Sequence, residues 1–97
     1  MKLSVVIPTL NEAANISSLL EHLLSTSGVA EMVVADSGSM DETVELARPP
    51  VRLVRSGPGK GMQLRAGARR ATGDVLLFLH ADVLPPRDVA VQIADAI

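Results

Sequence analysis

The stretch Asp74-Val75-Leu76-Leu77-Phe78-Leu79-His80-Ala81-Asp82 runs apolar and then ends in an imidazole and a carboxylate two residues apart. On an extended segment positions i and i+2 point to the same side, so His80 and Asp82 could face one cation together, although a lone His-x-Asp pair is a weak metal signal. Gly57-Pro58-Gly59-Lys60-Gly61 leads into a helical pattern, where free backbone N–H groups, the positive helix end and the Lys60 ammonium could converge on a phosphate. The spacing is not that of a Walker A loop, because no Ser or Thr follows the lysine, and the alternating glycines do not make a dinucleotide fingerprint. Asp36-Ser37-Gly38-Ser39 offers an acceptor-only carboxylate. That group suits a base N–H or a ribose hydroxyl, and equally a turn amide in an Asx-turn. In Pro8-Thr9-Leu10-Asn11-Glu12 the last two residues suit a ligand or the N-cap and first turn of a helix.

Each of these clusters follows a short apolar run. Leu3 to Ile7, Met32 to Ala35, Val51 to Val54 and Val75 to Leu79 read as strands buried on both faces, the last of them central in its sheet. Ile16, Leu19, Leu20, Leu23 and Leu24 form one stripe of an amphipathic helix, for which Asn11 is the expected N-cap. Ser39-Met40-Asp41-Glu42 fits a capping box that opens a short helix ended by Pro49-Pro50. A third helix, rich in Ala and Gly, is expected from about Gly61 to Ala71, and a fourth with Val89, Ile93 and Ala96 runs to the last residue. The β-α alternation predicts an α/β domain with a mostly parallel sheet, whose ligands bind beyond the carboxyl ends of the strands. His22 falls on the polar face of the first helix with Ser18 and Ser25 and is assigned no function.

Composition narrows the classes. The 97 residues, 47% hydrophobic with a net charge of −2, suit one small domain that buries roughly two-thirds of its unfolded surface. Residues 1 to 47 hold seven acids and one base, Lys2, whereas residues 48 to 73 hold seven bases and no acid. This segregation favours an anionic ligand near the basic segment. With no cysteine, disulfides, thiolate metal sites and cysteine nucleophiles are excluded. A single aromatic residue, Phe78, argues against nucleic-acid binding by base stacking. The opening Met1-Lys2-Leu3-Ser4-Val5-Val6-Ile7-Pro8 has too short an apolar run for a signal peptide, and the expected location is the cytoplasm.

Taken together, the motifs resemble the N-terminal, nucleotide-sugar-binding half of a family 2 glycosyltransferase. "SVVIPTLNEAANI" is similar to that family's opening strand and Asn-Glu segment, and "VVADSGSMDET" to its Asp-Asp-Gly-Ser-x-Asp-x-Thr segment. "GKGMQLRAGARRATGDVLLFLHAD" resembles the run that leads into the family's metal motif, so the match covers nearly the whole chain. The resemblance implies a Rossmann-like GT-A fold and an enzyme that transfers a sugar, with inversion, from a nucleotide-diphosphate-sugar donor to an acceptor the sequence does not specify. Carried over, it implies that Thr9, Glu12 and Asp36 line the nucleoside pocket and that Lys60 and Arg65 lie near the diphosphate. Asp82 matches the last acid of the DxD motif, which with His80 would hold a divalent cation, Mn²⁺ or Mg²⁺.

Two substitutions depart from the family pattern. Ser37 replaces the second acid of the Asp-Asp pair, and His80 replaces the first acid of DxD, which shifts preference toward Mn²⁺ or a later transition metal. The His-Ala-Asp version is similar to a branch of small bacterial radical-SAM/selenodomain-associated transferases. Family members continue into a second half that binds the acceptor and supplies an aspartate base, so residues 1 to 97 are expected to hold a donor without deprotonating an acceptor. Self-association across an open sheet edge and peripheral membrane attachment stay open as further partners. Two other readings fit parts of the sequence. A nucleotidyltransferase-like domain would place its Gly-rich loop after the first strand, where Thr9-Leu10-Asn11-Glu12 has no glycine, and a non-catalytic interaction domain would need no catalytic base.

Overall fold

The computed structural model describes residues 1–97. Four strands, β1 (Leu3–Thr9), β2 (Val29–Asp36), β3 (Arg52–Arg55) and β4 (Val75–Phe78), alternate with helices α1 (Ile16–Leu24), α2 (Thr43–Leu46), α3 (Lys60–Arg70) and α4 (Val89–Ala96). All strand pairings are parallel, in the order β3-β2-β1-β4. The chain therefore adds strands in one direction through β3 and then returns to the far side of β1. The reversal falls between β1 and β4, the place where parallel α/β sheets open a ligand crevice.

Period-two alternation divides β1 between two cores. Leu3, Val5 and Ile7 join Met32 and Val34 under the α1 stripe of Ile16, Leu19, Leu20 and Leu23, with Ala90 of α4 at the margin. Each such side chain, fully buried, contributes on the order of 1.5–3 kcal/mol. Leu24, assigned to the same stripe from sequence, is 58% exposed and lies outside it. The opposite face of the sheet meets α3. There Gly67 approaches Val6 so closely that a Cβ at that position would stand 2.3 Å from Val6 Cγ1. Glycine at position 67 is the consequence: a side chain there would keep the helix from seating on the strand.

The runs at β3 and β4 are not buried on both faces as their composition predicts. Both are edge strands, and their residues are half-buried or exposed, Phe78 at 45%. Within residues 1–97 β4 pairs with β1 alone; β1 and β2 have a neighbour on each side, and β1 is buried along its whole length. At the amino end of the sheet, Glu31 accepts hydrogen bonds from the Ser4 hydroxyl (2.7 Å) and the Thr72 amide (2.8 Å) and pairs with Arg52 (3.3 Å). Ser4 Oγ in turn accepts from the Gly73 amide (2.9 Å), so this end is knitted shut. No helix is long and apolar enough to cross a membrane.

Candidate functional site

The carboxyl end is open. A cleft of about 670 Å³ lies beyond β1 and β4, with Pro8, Thr9, Leu10 and Glu12 along β1 and its loop, and Ser37 beside them. Gly59, Lys60 and Gln63 of the α3 start form one wall, and His80, Asp82 and Val83 form the other. Of the residues proposed from sequence, Thr9, Glu12, Lys60, His80 and Asp82 therefore meet in one place. Arg65 does not: it lies on the exposed face of α3, outside the cleft.

Asp36 lies beneath the cleft and does not line it. Only 1% exposed, its carboxylate accepts from the Thr9 hydroxyl (2.7 Å), the Gly38 amide (3.0 Å), the Ser39 amide (2.8 Å) and the Ser39 hydroxyl. Burial alone would raise this carboxyl. The Ser39 hydroxyl and amide, the Thr9 hydroxyl and the Gly38 amide outweigh that effect and hold it below the ordinary aspartate value. With its acceptor capacity spent on protein donors, Asp36 acts as the peg on which the β2–α2 loop hangs. Its neighbour Ser37 presents the polar group to the cleft instead.

The β1–α1 and β2–α2 loops are laced together above this peg. Asn11, expected to cap α1, instead accepts from the Met40 amide (2.8 Å), while its own amide donates to Ser39 Oγ (2.8 Å). It adopts φ 55°, a left-handed conformation that Asn tolerates better than most residues, and α1 begins only at Ile16. Ser39 is thereby diverted from the predicted capping box. Asp41 performs that work, accepting from the Thr43 amide (2.9 Å), the Thr43 hydroxyl and the Ala13 amide (3.1 Å). The Thr43 hydroxyl is the foremost cause that holds the Asp41 carboxyl below its usual value. Thr43 Oγ1 also accepts from the Glu12 amide (2.9 Å), which ties Glu12 to the rim.

On the opposite wall, Gly59 takes φ 98°, open to glycine and strained for other residues, and turns the chain into α3 so that Lys60 enters the cleft at the helix N-terminus. Lys60 Nζ stands 3.1 Å from His80 Nδ1 and 3.3 Å from His80 Nε2. An ammonium in the ring plane can address one ring nitrogen only, so this near-equidistance places Lys60 over the imidazole face and leaves the in-plane lone pair of the ring free. His80 and Asp82 share the cleft, though not through an extended segment. The Val83 amide closes a turn on the His80 carbonyl (3.1 Å), and Ala81, 3% exposed, anchors the turn in the core between them.

Gln63 escaped the sequence reading. It is 5% exposed, and its amide donates to the carbonyls of Thr9 (2.8 Å) and Ala35 (3.1 Å), joining the ends of β1 and β2 under the cleft. The available signal is a lone amide one turn into the helix that starts with Lys60.

No three His, Cys, Asp or Glu side chains cluster closely enough to cage a metal. A cation that rides on a diphosphate needs only one or two protein ligands, however, and the Asp82 carboxylate with the His80 imidazole fits that requirement. Lys60 beside His80 weighs the pair toward anions.

The fold and cleft define an α/β domain of the Rossmann-like GT-A kind, with a polar cleft at the strand ends. The sequence profile of Glycosyl transferase family 2 matches residues 4–97, and the chain belongs to that family. It is 35% identical over 106 aligned positions to dolichol-phosphate mannosyltransferase of Pyrococcus furiosus, an alignment that covers 100% of this chain and 30% of that protein. Glucosyl-3-phosphoglycerate synthase from Mycobacterium tuberculosis, solved with Mn²⁺, UDP and glucosyl-3-phosphoglycerate, superposes with a TM-score of 0.80 at 31% identity, over 97% of this chain and 38% of that one. A mannosyltransferase from Pyrobaculum calidifontis, solved with GDP-Man and Mn²⁺, gives 0.79 at 30% identity, over 94% and 31%. The chain thus spans about a third of the length of the curated relatives it matches.

Proposed function

We propose that residues 1–97 form the donor-binding part of a glycosyltransferase that moves a sugar from a nucleotide-diphosphate-sugar to an acceptor, with inversion. The observation that carries this reading is the convergence of Thr9, Glu12, Ser37, Lys60, His80 and Asp82 on one cleft at the β1/β4 reversal of the strand order. Glu12 and Ser37 would face the nucleoside, with Thr9, 1% exposed, in the floor beneath them; Asp36 would serve it indirectly by fixing Thr9 and the Ser37 loop. Lys60, at the positive end of α3, would take the diphosphate. Asp82 and His80 would hold a divalent cation, whose chemistry is to neutralise charge on the departing diphosphate. Two structural relatives that carry Mn²⁺ beside UDP or GDP-Man support this assignment.

Calorimetric titration with UDP, GDP and their sugars, with Mn²⁺ and with EDTA, tests the reading. Binding of one diphosphate that weakens in EDTA is the expected result. A folded protein that binds none of them overturns it.

A further inference from the structure

The arm that joins β4 to α4 carries both His80 and Asp82 yet contains no strand or helix. Its internal order is slight: the His80–Val83 turn, and the Val89 amide on the Pro86 carbonyl (3.1 Å). Besides the Lys60–His80 contact at its start, its polar side-chain ties to the rest of the molecule come from the end of α1. His22 Nε2 lies 2.6 Å from the Pro85 carbonyl, and Arg87 Nη1 donates to Ser25 Oγ (2.7 Å). A carbonyl can only accept, so His22 carries a proton on Nε2 and donates it. The turn that presents His22 is itself braced, because the His22 carbonyl accepts from the hydroxyls of Ser25 (3.0 Å) and Thr26 (2.6 Å). Pro85 is buried and His22 half-buried, so the bond is partly shielded from water.

We propose that His22 is a positioning residue for the cleft: its bond to Pro85 fixes the arm, and thereby sets where Asp82, three residues earlier, stands against a cation-bound diphosphate. The proposal rests on the reading of the cleft as a donor site. Without this tie the arm beyond the Ala81 anchor would sample several arrangements, and a ligand that needs one of them binds with an affinity reduced by the fraction of time it is present. A single hydrogen bond of ordinary net strength corresponds to roughly three- to tenfold in that fraction.

The test compares wild type, His22→Ala and His22→Gln by calorimetry with UDP and GDP, in Mn²⁺ and in EDTA, alongside native-state amide exchange. The Ala variant is expected to weaken Mn²⁺-dependent nucleotide binding roughly three- to tenfold and to speed exchange at the Val83 amide, while leaving the EDTA affinity and the β1 amides unchanged. Gln, whose terminal amide falls near the position of Nε2, should restore most of both. If the Ala variant does not fold, His22→Asn, which is polar but too short to reach Pro85, replaces it. Unchanged Mn²⁺-dependent binding, an equal loss in EDTA, or no recovery with Gln overturns the proposal. If wild type binds neither nucleotide, the donor-site reading fails separately, and unchanged exchange at Val83 would then overturn the tether itself.

Discussion

β2 carries a carboxylate at each end of the sheet, and the two look alike in how the protein holds them. Glu31 at the amino end and Asp36 at the carboxyl end are both shielded, both meet several protein donors and both are held below the ordinary carboxylate value. For Glu31 the opposing effect is again burial, overcome by the Thr72 amide, the Ser4 and Thr72 hydroxyls and the charge of Arg52. One closes a sealed edge; the other lies under an open cleft. Asp82, by contrast, is exposed and accepts no hydrogen bond from the protein. A perturbed acid in this fold therefore marks scaffolding, and the acid with spare acceptor capacity is the one placed to meet a ligand.

Removing the two scaffold acids should separate them. Asp36→Ala strips the acceptor from four donors in a buried site and should cost about 3–5 kcal/mol in urea unfolding. Because Thr9 and the Ser37 loop lose their peg, nucleotide binding should fall with it. Glu31→Ala should cost less, about 1–3 kcal/mol, since water can reach part of its site, and it should leave nucleotide affinity within about twofold of wild type. Equal losses of binding in both variants would erase the distinction between the two ends.

Acid should act on both ends at once. A carboxyl whose folded value lies below its unfolded one, about 4 for Asp and Glu, stabilises the native state at pH above that unfolded value. The contribution is lost as pH falls through the lowered folded value. Stability is therefore expected to be flat with respect to Asp36, Glu31 and Asp41 above about pH 5 and to fall below about pH 4. Asp36→Asn should start less stable and lose stability less steeply over that acid range, as measured by urea unfolding at stepped pH.

How much of this was legible in the sequence follows from what is local. The β-α alternation and the α1 stripe are written in nearest-neighbour periodicity, and they appear almost as read. Strand order is not local, so the apolar run Val75 to Phe78 does not announce its pairing with β1. The placement of Asp36 turned on one residue: with β2 ending at Ala35 the carboxylate begins the loop, but β2 extends through Asp36 and the alternation hands the cleft to Ser37. Asn11 and Ser39 were read as caps because capping patterns span a few residues, whereas their partners lie 28 or 29 positions away. Thr9, Glu12, Lys60, His80 and Asp82 share one cleft because each ends or follows a strand or opens a helix at the same sheet edge. Arg65 was carried over from the family pattern alone, and helix phase turns it away.

The smallest effect on stability, and the sharpest on binding, belongs to Asp82. It is exposed and unpaired, so Asp82→Ala should change unfolding free energy by no more than about 0.5 kcal/mol. If it supplies the oxygen ligand to the cation, Mn²⁺-dependent nucleotide binding should nevertheless drop at least about tenfold, toward the EDTA value. The companion change His80→Asp replaces imidazole by a second carboxylate and converts the Lys60 contact into an ion pair. Oxygen ligands favour Mg²⁺ relative to an imidazole, so this variant should raise the Mg²⁺-supported affinity relative to the Mn²⁺-supported one. A loss of binding in Asp82→Ala that is equal with and without the cation would instead make Asp82 a direct nucleotide contact, and would put the whole charge of recognising the diphosphate on Lys60.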